Sequence, residues 1–121
     1  FEAAPPQSMP GKLTQLLRLR HAAGAAPLTL LPCELLENNA DKLRELVLRQ
    51  ARLWNLPDDF SRWVADDCVW LNNLVDCIVT LPPEPHPTVS DPALVQAEPY
   101  ALLAIRGTTV PPVLPRHPAV R

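Results

Sequence analysis

Two places in this 121-residue chain set reactive side chains beside apolar runs. The first is Cys33-Glu34, directly after Pro27-Leu28-Thr29-Leu30-Leu31-Pro32. A short apolar run bounded by prolines suits a strand buried on both faces. A thiol and a carboxylate at its C-terminal end would lie where open α/β sheets bind ligands. The pair also reads as a small buried thiol beside a loop carboxylate. The second place is Asn72-Asn73, ahead of Leu74-Val75-Asp76-Cys77-Ile78-Val79. On its own this is a turn followed by a strand, in which Asp76 needs a partner if it is buried. Other chemistries lack support. His21, His86 and His117 form no metal-ligand spacing with Cys33, Cys68 and Cys77, so no metal is expected. No Ser/His/Asp arrangement has a motif around it. Gly11, Gly24 and Gly107 are isolated, which excludes a glycine-rich phosphate cradle within these residues.

The elements that would position these residues follow from periodicity. Residues 1–10 read as an extended lead-in, because Pro5, Pro6 and Pro10 disfavour helix before them. From Lys12 the pattern is helical, with Leu13, Leu16 and Leu17 on one face and Gly24 as the stop. Asn38 and Asn39 offer N-caps for a helix over about 40–54. Its stripe is Leu43, Leu46, Val47, Ala51 and Trp54, with Asp41 and Glu45 early and Arg49 and Arg52 late, as the helix dipole favours. Pro57-Asp58-Asp59 opens a short helix that turns Phe60, Trp63 and Val64 inward. Residues 74–79 and 96–106 read as strands. The division is therefore a lead-in (1–10), a helix–strand–helix–helix–strand part (11–80), a proline-rich loop (81–93), a strand (94–106) and a proline-rich tail (107–121). That order is α/β, and a strand–helix–strand crossover within it would be right-handed if parallel.

Composition bounds the function. Hydrophobic residues make up 47% and charged residues 20%, so most of the chain can build a core. A net charge of −2 argues against a nucleic-acid partner. No apolar run approaches the ~20 residues that span a bilayer, so no membrane partner is expected. Three widely spaced cysteines suggest free thiols in a reducing, cytoplasmic setting. Sixteen prolines against three glycines are unusual. The run Pro82-Pro83-x-Pro85-x-Pro87 is a stiff surface loop or a polyproline segment read by a partner. The chain opens on Phe1 and is read as a piece of something longer.

Several segments, in order, resemble one family. Leu30-Leu31-Pro32-Cys33-Glu34-Leu35, Asn39 and Asp41-Lys42-Leu43-Arg44-Glu45-Leu46-Val47-Leu48 carry the likeness. So do Lys12-Leu13-Thr14-Gln15-Leu16-Leu17 after Ala4-Pro5-Pro6, and Trp54-x-Leu56-Pro57 with Phe60 and Trp63. Asn72-Asn73-Leu74-Val75-Asp76-Cys77-Ile78-Val79 and Ala97-Glu98-Pro99-Tyr100 complete it. Over roughly residues 1–106 the chain is similar to the N-terminal domain of the mannitol dehydrogenase family, most of all to its tagaturonate-reducing branch. The sequence departs from the family pattern at Cys77, where arginine is usual, at Ala40, where glycine is usual, and at Leu103, where tryptophan is usual. A thiol cannot make the planar charged contacts of arginine.

The resemblance implies the back half of a Rossmann-like domain from an NAD-dependent oxidoreductase of a hexuronate or polyol, of the tagaturonate-to-altronate type. A mannitol or fructuronate dehydrogenase is the neighbouring expectation. A non-catalytic remnant or protein-binding scaffold is the expectation from another class. The family's glycine-rich loop would lie upstream and its catalytic lysine domain downstream, so the partners are a small sugar acid or polyol and the missing domains of the same polypeptide. Without a pyrophosphate site, these residues alone should not bind NADH tightly. Asn72 aligns by resemblance with an asparagine that helps hold a developing alkoxide oxygen, a task suited to an amide N–H. Cys33 and Glu34 would face the nicotinamide half of the cofactor. Asn39 is either a helix cap or a further cofactor contact.

Overall fold

The computed structural model describes residues 6–81 and 93–107. The first helix, α1 (Met9–Ala22), begins earlier than the prolines suggest. Ser8 is its N-cap and accepts from the Gly11 N–H at 3.2 Å. Pro10 falls in the first turn, where its missing N–H leaves no helical bond unmade. The extended lead-in is therefore shorter than residues 1–10, and its first five residues lie outside the described ones. At the other end Gly24 sits at φ +64°, while its N–H reaches His21 O and the Ala25 N–H reaches Arg20 O. This pair of bonds ends the helix in a Schellman motif. The buried face of α1 is Leu13, Thr14 and Leu17, with Leu16 on the outside. Thr14 can be buried because its hydroxyl donates to Pro10 O at 2.7 Å.

Helix α2 (Asn39–Leu53) packs on α1 and buries Val47 and Ala51. Leu46, expected on the same stripe, is exposed. The short α3 (Asp58–Arg62) continues without a break into a π-helical turn, Trp63–Asp67. These two bury Phe60 and Val64 against α1 and α2. Leu13, Leu17, Val47, Ala51, Phe60, Val64 and Cys68 form one core cluster, with Leu28, Leu30 and Trp70 packed against it.

The strands among the described residues are short and fall into three pairs. Strand β1 (Thr29–Leu30) pairs in parallel with β2 (Val69–Trp70), with α2 and α3 in the crossover between them. Strand β3 (Asn73–Asp76) runs antiparallel to β6 (Leu102–Ile105), and β4 (Val79–Thr80) antiparallel to β5 (Gln96–Ala97). This is an α/β arrangement, and it corrects the sequence reading in four places. The first strand is not buried on both faces: Leu30 is half-buried against the helices and Thr29 is exposed. The expected strand 74–79 is two strands separated by Cys77-Ile78, and the expected strand 96–106 is two separated at Pro99-Tyr100. Strand β2 was not foreseen, because it follows the π-helical turn with no glycine or proline to punctuate it. Residues 82–92 of the proline-rich loop, with His86, and 108–121 of the tail, with His117, lie outside the described residues.

Candidate functional site

Strands β1 and β2 are parallel, so their C-terminal ends lie on one edge. The segment after β1 carries Cys33 and Glu34 to the start of α2; the segment after β2 carries Asn72 and Asn73 to the start of β3. A cluster of three asparagines ties these segments together. Asn39, 3% exposed, donates through Nδ2 to Pro32 O, Glu34 O and Asn73 O at 2.8, 3.0 and 3.0 Å. Its Oδ1 accepts from the Ala40 and Asn73 N–H groups. Asn73 donates through Nδ2 to Pro32 O and Leu71 O.

Asn72 is buried and makes the bonds expected of a helix cap, though it is remote from the helix in sequence. Its Oδ1 accepts from the Ala40 N–H at 2.9 Å and the Asp41 N–H at 3.1 Å. Its Nδ2 donates to Asp41 Oδ2 at 2.7 Å. The local candidates serve otherwise. Asn38 occupies the N-cap position in the left-handed region, φ 54°, with no side-chain capping bond, and Asn39 is already the first helical residue. Free N–H groups at a helix N-terminus need acceptors, and here the acceptor arrives from the β2–β3 junction.

Beside this cluster lies a groove of about 500 Å³, between the Leu35-Leu36 segment and the β3–β6 ribbon. Asn72 and Asn73 line it with Leu74 and Ile105, and Arg106 is the one cation among its lining residues. The Arg106 N–H donates to Asn72 O at 2.8 Å, which fixes the end of β6 to the junction. Asn73 Oδ1 is buried and has no hydrogen-bond donor among the described residues. Such an acceptor costs roughly 1–3 kcal/mol if left unpaired.

Of the residues singled out from sequence, Asn72 lines the groove. Cys33 and Glu34 are exposed on the adjoining segment and are not among the lining residues. The alternative of a small buried thiol therefore does not describe Cys33. Asn39 lies behind the groove, with both ends of its amide committed to backbone. Asp76 is exposed, so it needs no buried partner, and Cys77 beside it is exposed too. Sequence reasoning missed Asn73, Arg106 and the contact of Asp41 with Asn72. Only the doubled asparagine at 72–73 offered a local signal.

Comparison with known proteins bears on the same segments. The family model described as the mannitol dehydrogenase Rossmann domain matches residues 3–116. An altronate oxidoreductase of Yersinia enterocolitica is 50% identical over 84 residues, covering 66% of this chain and 17% of the relative. Altronate oxidoreductases of an Enterobacter species and of Bacillus subtilis are 42% and 39% identical over 118 and 120 residues. Each covers 88% of this chain, which in turn spans 24% and 25% of them. The chain thus spans a quarter or less of the length of these relatives. The parallel β–α–β unit, the helices on it and the family match together make this chain part of the Rossmann domain of the mannitol dehydrogenase family.

Proposed function

We propose that these residues belong to an NAD-dependent oxidoreductase that interconverts a keto sugar acid and its alcohol, as tagaturonate and altronate are interconverted. The observation that carries this reading is the placement of the Asn72 amide on a groove off the C-terminal edge of the parallel pair. That is the edge at which α/β domains take ligands. The likeness to altronate oxidoreductases supplies the substrate class.

The groove fits the nicotinamide end of such a cofactor. Leu35, Leu36, Leu74 and Ile105 offer apolar walls to a flat ring. Cys33 and Glu34, on the segment beside it, would hold the adjoining part of the cofactor, and Asn39 holds that segment in place. The bound cofactor supplies the hydride; the protein orients and polarises. Asn72 donates an N–H to the substrate oxygen as it gains negative charge, which stabilises that charge without a proton transfer. Arg106, whose guanidinium can pair with a carboxylate, lines the groove together with Glu37. The remaining domains of the same polypeptide would complete the site.

The test is a spectrophotometric assay of the natural polypeptide that carries these residues, with NADH and tagaturonate, fructuronate or fructose. Turnover is expected with tagaturonate and weaker turnover with fructose. Absence of turnover with every hexose and hexuronate would leave the non-catalytic scaffold reading in its place.

A further inference from the structure

We propose that Asp41 is a positioning residue for Asn72: its carboxylate takes one of the two N–H groups of the amide and so fixes where the other points. This rests on the reading of Asn72 given above. A primary amide has four hydrogen-bonding positions in one plane, two lone pairs on oxygen and two hydrogens on nitrogen. Three of the four are occupied here. The Ala40 and Asp41 N–H groups hold Oδ1, and Asp41 Oδ2 holds one hydrogen of Nδ2 at 2.7 Å. Planarity then leaves the last N–H a single direction, on a side chain that lines the groove.

Asp41 holds the amide by both ends, through its own backbone N–H and its own carboxylate. The carboxylate sits at the first turn of α2, where the helix dipole favours a negative charge. Helix N-terminus, carboxylate and amide therefore form one unit. With the carboxylate removed, the two backbone N–H groups still hold the oxygen, but nothing distinguishes the two hydrogens or resists a tilt of the amide plane. A misplaced donor loses rate without losing substrate affinity.

The experiment uses the full natural polypeptide and measures kcat and KM for hexuronate reduction in Asn72→Ala, Asp41→Ala, Asp41→Asn and the double variant Asn72→Ala/Asp41→Ala. Asn72→Ala should lower kcat by about 10²–10³-fold, as removal of an oxyanion donor does. Asp41→Ala should lower kcat by roughly ten-fold with KM unchanged, and Asp41→Asn, which keeps an acceptor, should recover most of that loss. In the Asn72→Ala background, Asp41→Ala should cost nothing more. Asp41 is exposed, so its replacement leaves the core intact. A full Asp41→Ala effect on top of Asn72→Ala, or a normal kcat in Asp41→Ala while Asn72→Ala is crippled, overturns the positioning role alone. A normal kcat in Asn72→Ala overturns the reading of Asn72, and the role of Asp41 with it.

Discussion

The helical half and the strand-bearing half of this chain are built on opposite terms. Helices α1, α2 and α3 close their own core: Leu17, Val47, Phe60 and Val64 are all but inaccessible, and each lies within one continuous cluster. Beyond Asn72 the strands among the described residues make two-stranded pairs, and Leu74, Ile78, Val79, Leu81, Leu102 and Leu103 stay exposed. An amphipathic helix needs only another helix to bury its stripe. A strand pair of two to four residues cannot cover both of its faces. The relatives are four or more times longer than the part that matches.

The contrast breaks first, and most severely, at Phe60. Its ring is 1% exposed and stacks near Trp63, with His21 edge-on at 5.7 Å. Phe60→Ala should cost about 3–5 kcal/mol, the usual price of an aromatic-sized cavity. Leu102→Ala, on the open ribbon, should stay within about 0.5 kcal/mol, as exposed positions do. Urea unfolding followed by helical circular dichroism measures both. Equal effects at the two sites would mean that the ribbon is as well packed as the helices.

The next largest effect is expected at the seam between the halves. Asn39→Ala would remove the amide donor to Glu34 O and Asn73 O and the acceptor of the Asn73 N–H at once, while Pro32 O keeps the Asn73 amide. Leaving buried groups unpaired costs about 1–3 kcal/mol, less than the loss of Phe60 and more than any ribbon substitution. Amide hydrogen exchange should show the change concentrated at Ala40, Asp41 and Asn73. Protection lost evenly along α2 would instead make Asn39 a part of the helical core.

These two sites also show what the sequence could reveal. The helices were legible because their information is local: Leu13 and Leu17 sit one turn apart, Pro57 and Asp58 mark a start, and Gly24 takes the one conformation it is best suited to. The strands were legible in part: β1, β3, β5 and β6 fall in runs that read as strands, whereas Val69-Trp70 carries no punctuation and Cys77-Ile78 no sign of a break. At the site, the type of Asn72 was readable, and its partners were not. Local rules assign the cap of α2 to Asn38 or Asn39, whereas the bonds run from Asn72 to Ala40 and Asp41, more than thirty residues away. Asn39 gave the same false lead: it resembles a cap and acts as a brace across two segments.

The smallest effect tests the seam from the helical side. Cys68 follows the π-helical turn, its N–H donates to Trp63 O, and it leads directly into β2. Burial pushes its thiol pKa up, and the nearby Asp67 carboxylate adds to this. A backbone hydrogen bond with Leu28 and the charge of Arg20 act the other way. A raised pKa means that the folded chain holds this proton more tightly than the unfolded one. Stability from the neutral thiol is therefore complete below about pH 9, and is lost as pH rises from there through the folded value. Cys68→Ala should give up some packing at neutral pH and flatten the alkaline limb relative to the unsubstituted chain. The difference between the two unfolding curves isolates this group from whatever is common to both. Cys68 belongs to the core cluster, whereas Cys33 and Cys77 are exposed. An alkaline limb as steep in Cys68→Ala as in the unsubstituted chain would mean that this thiol is not held in the closed helical core, and the division between that core and the open strand layer would fail there.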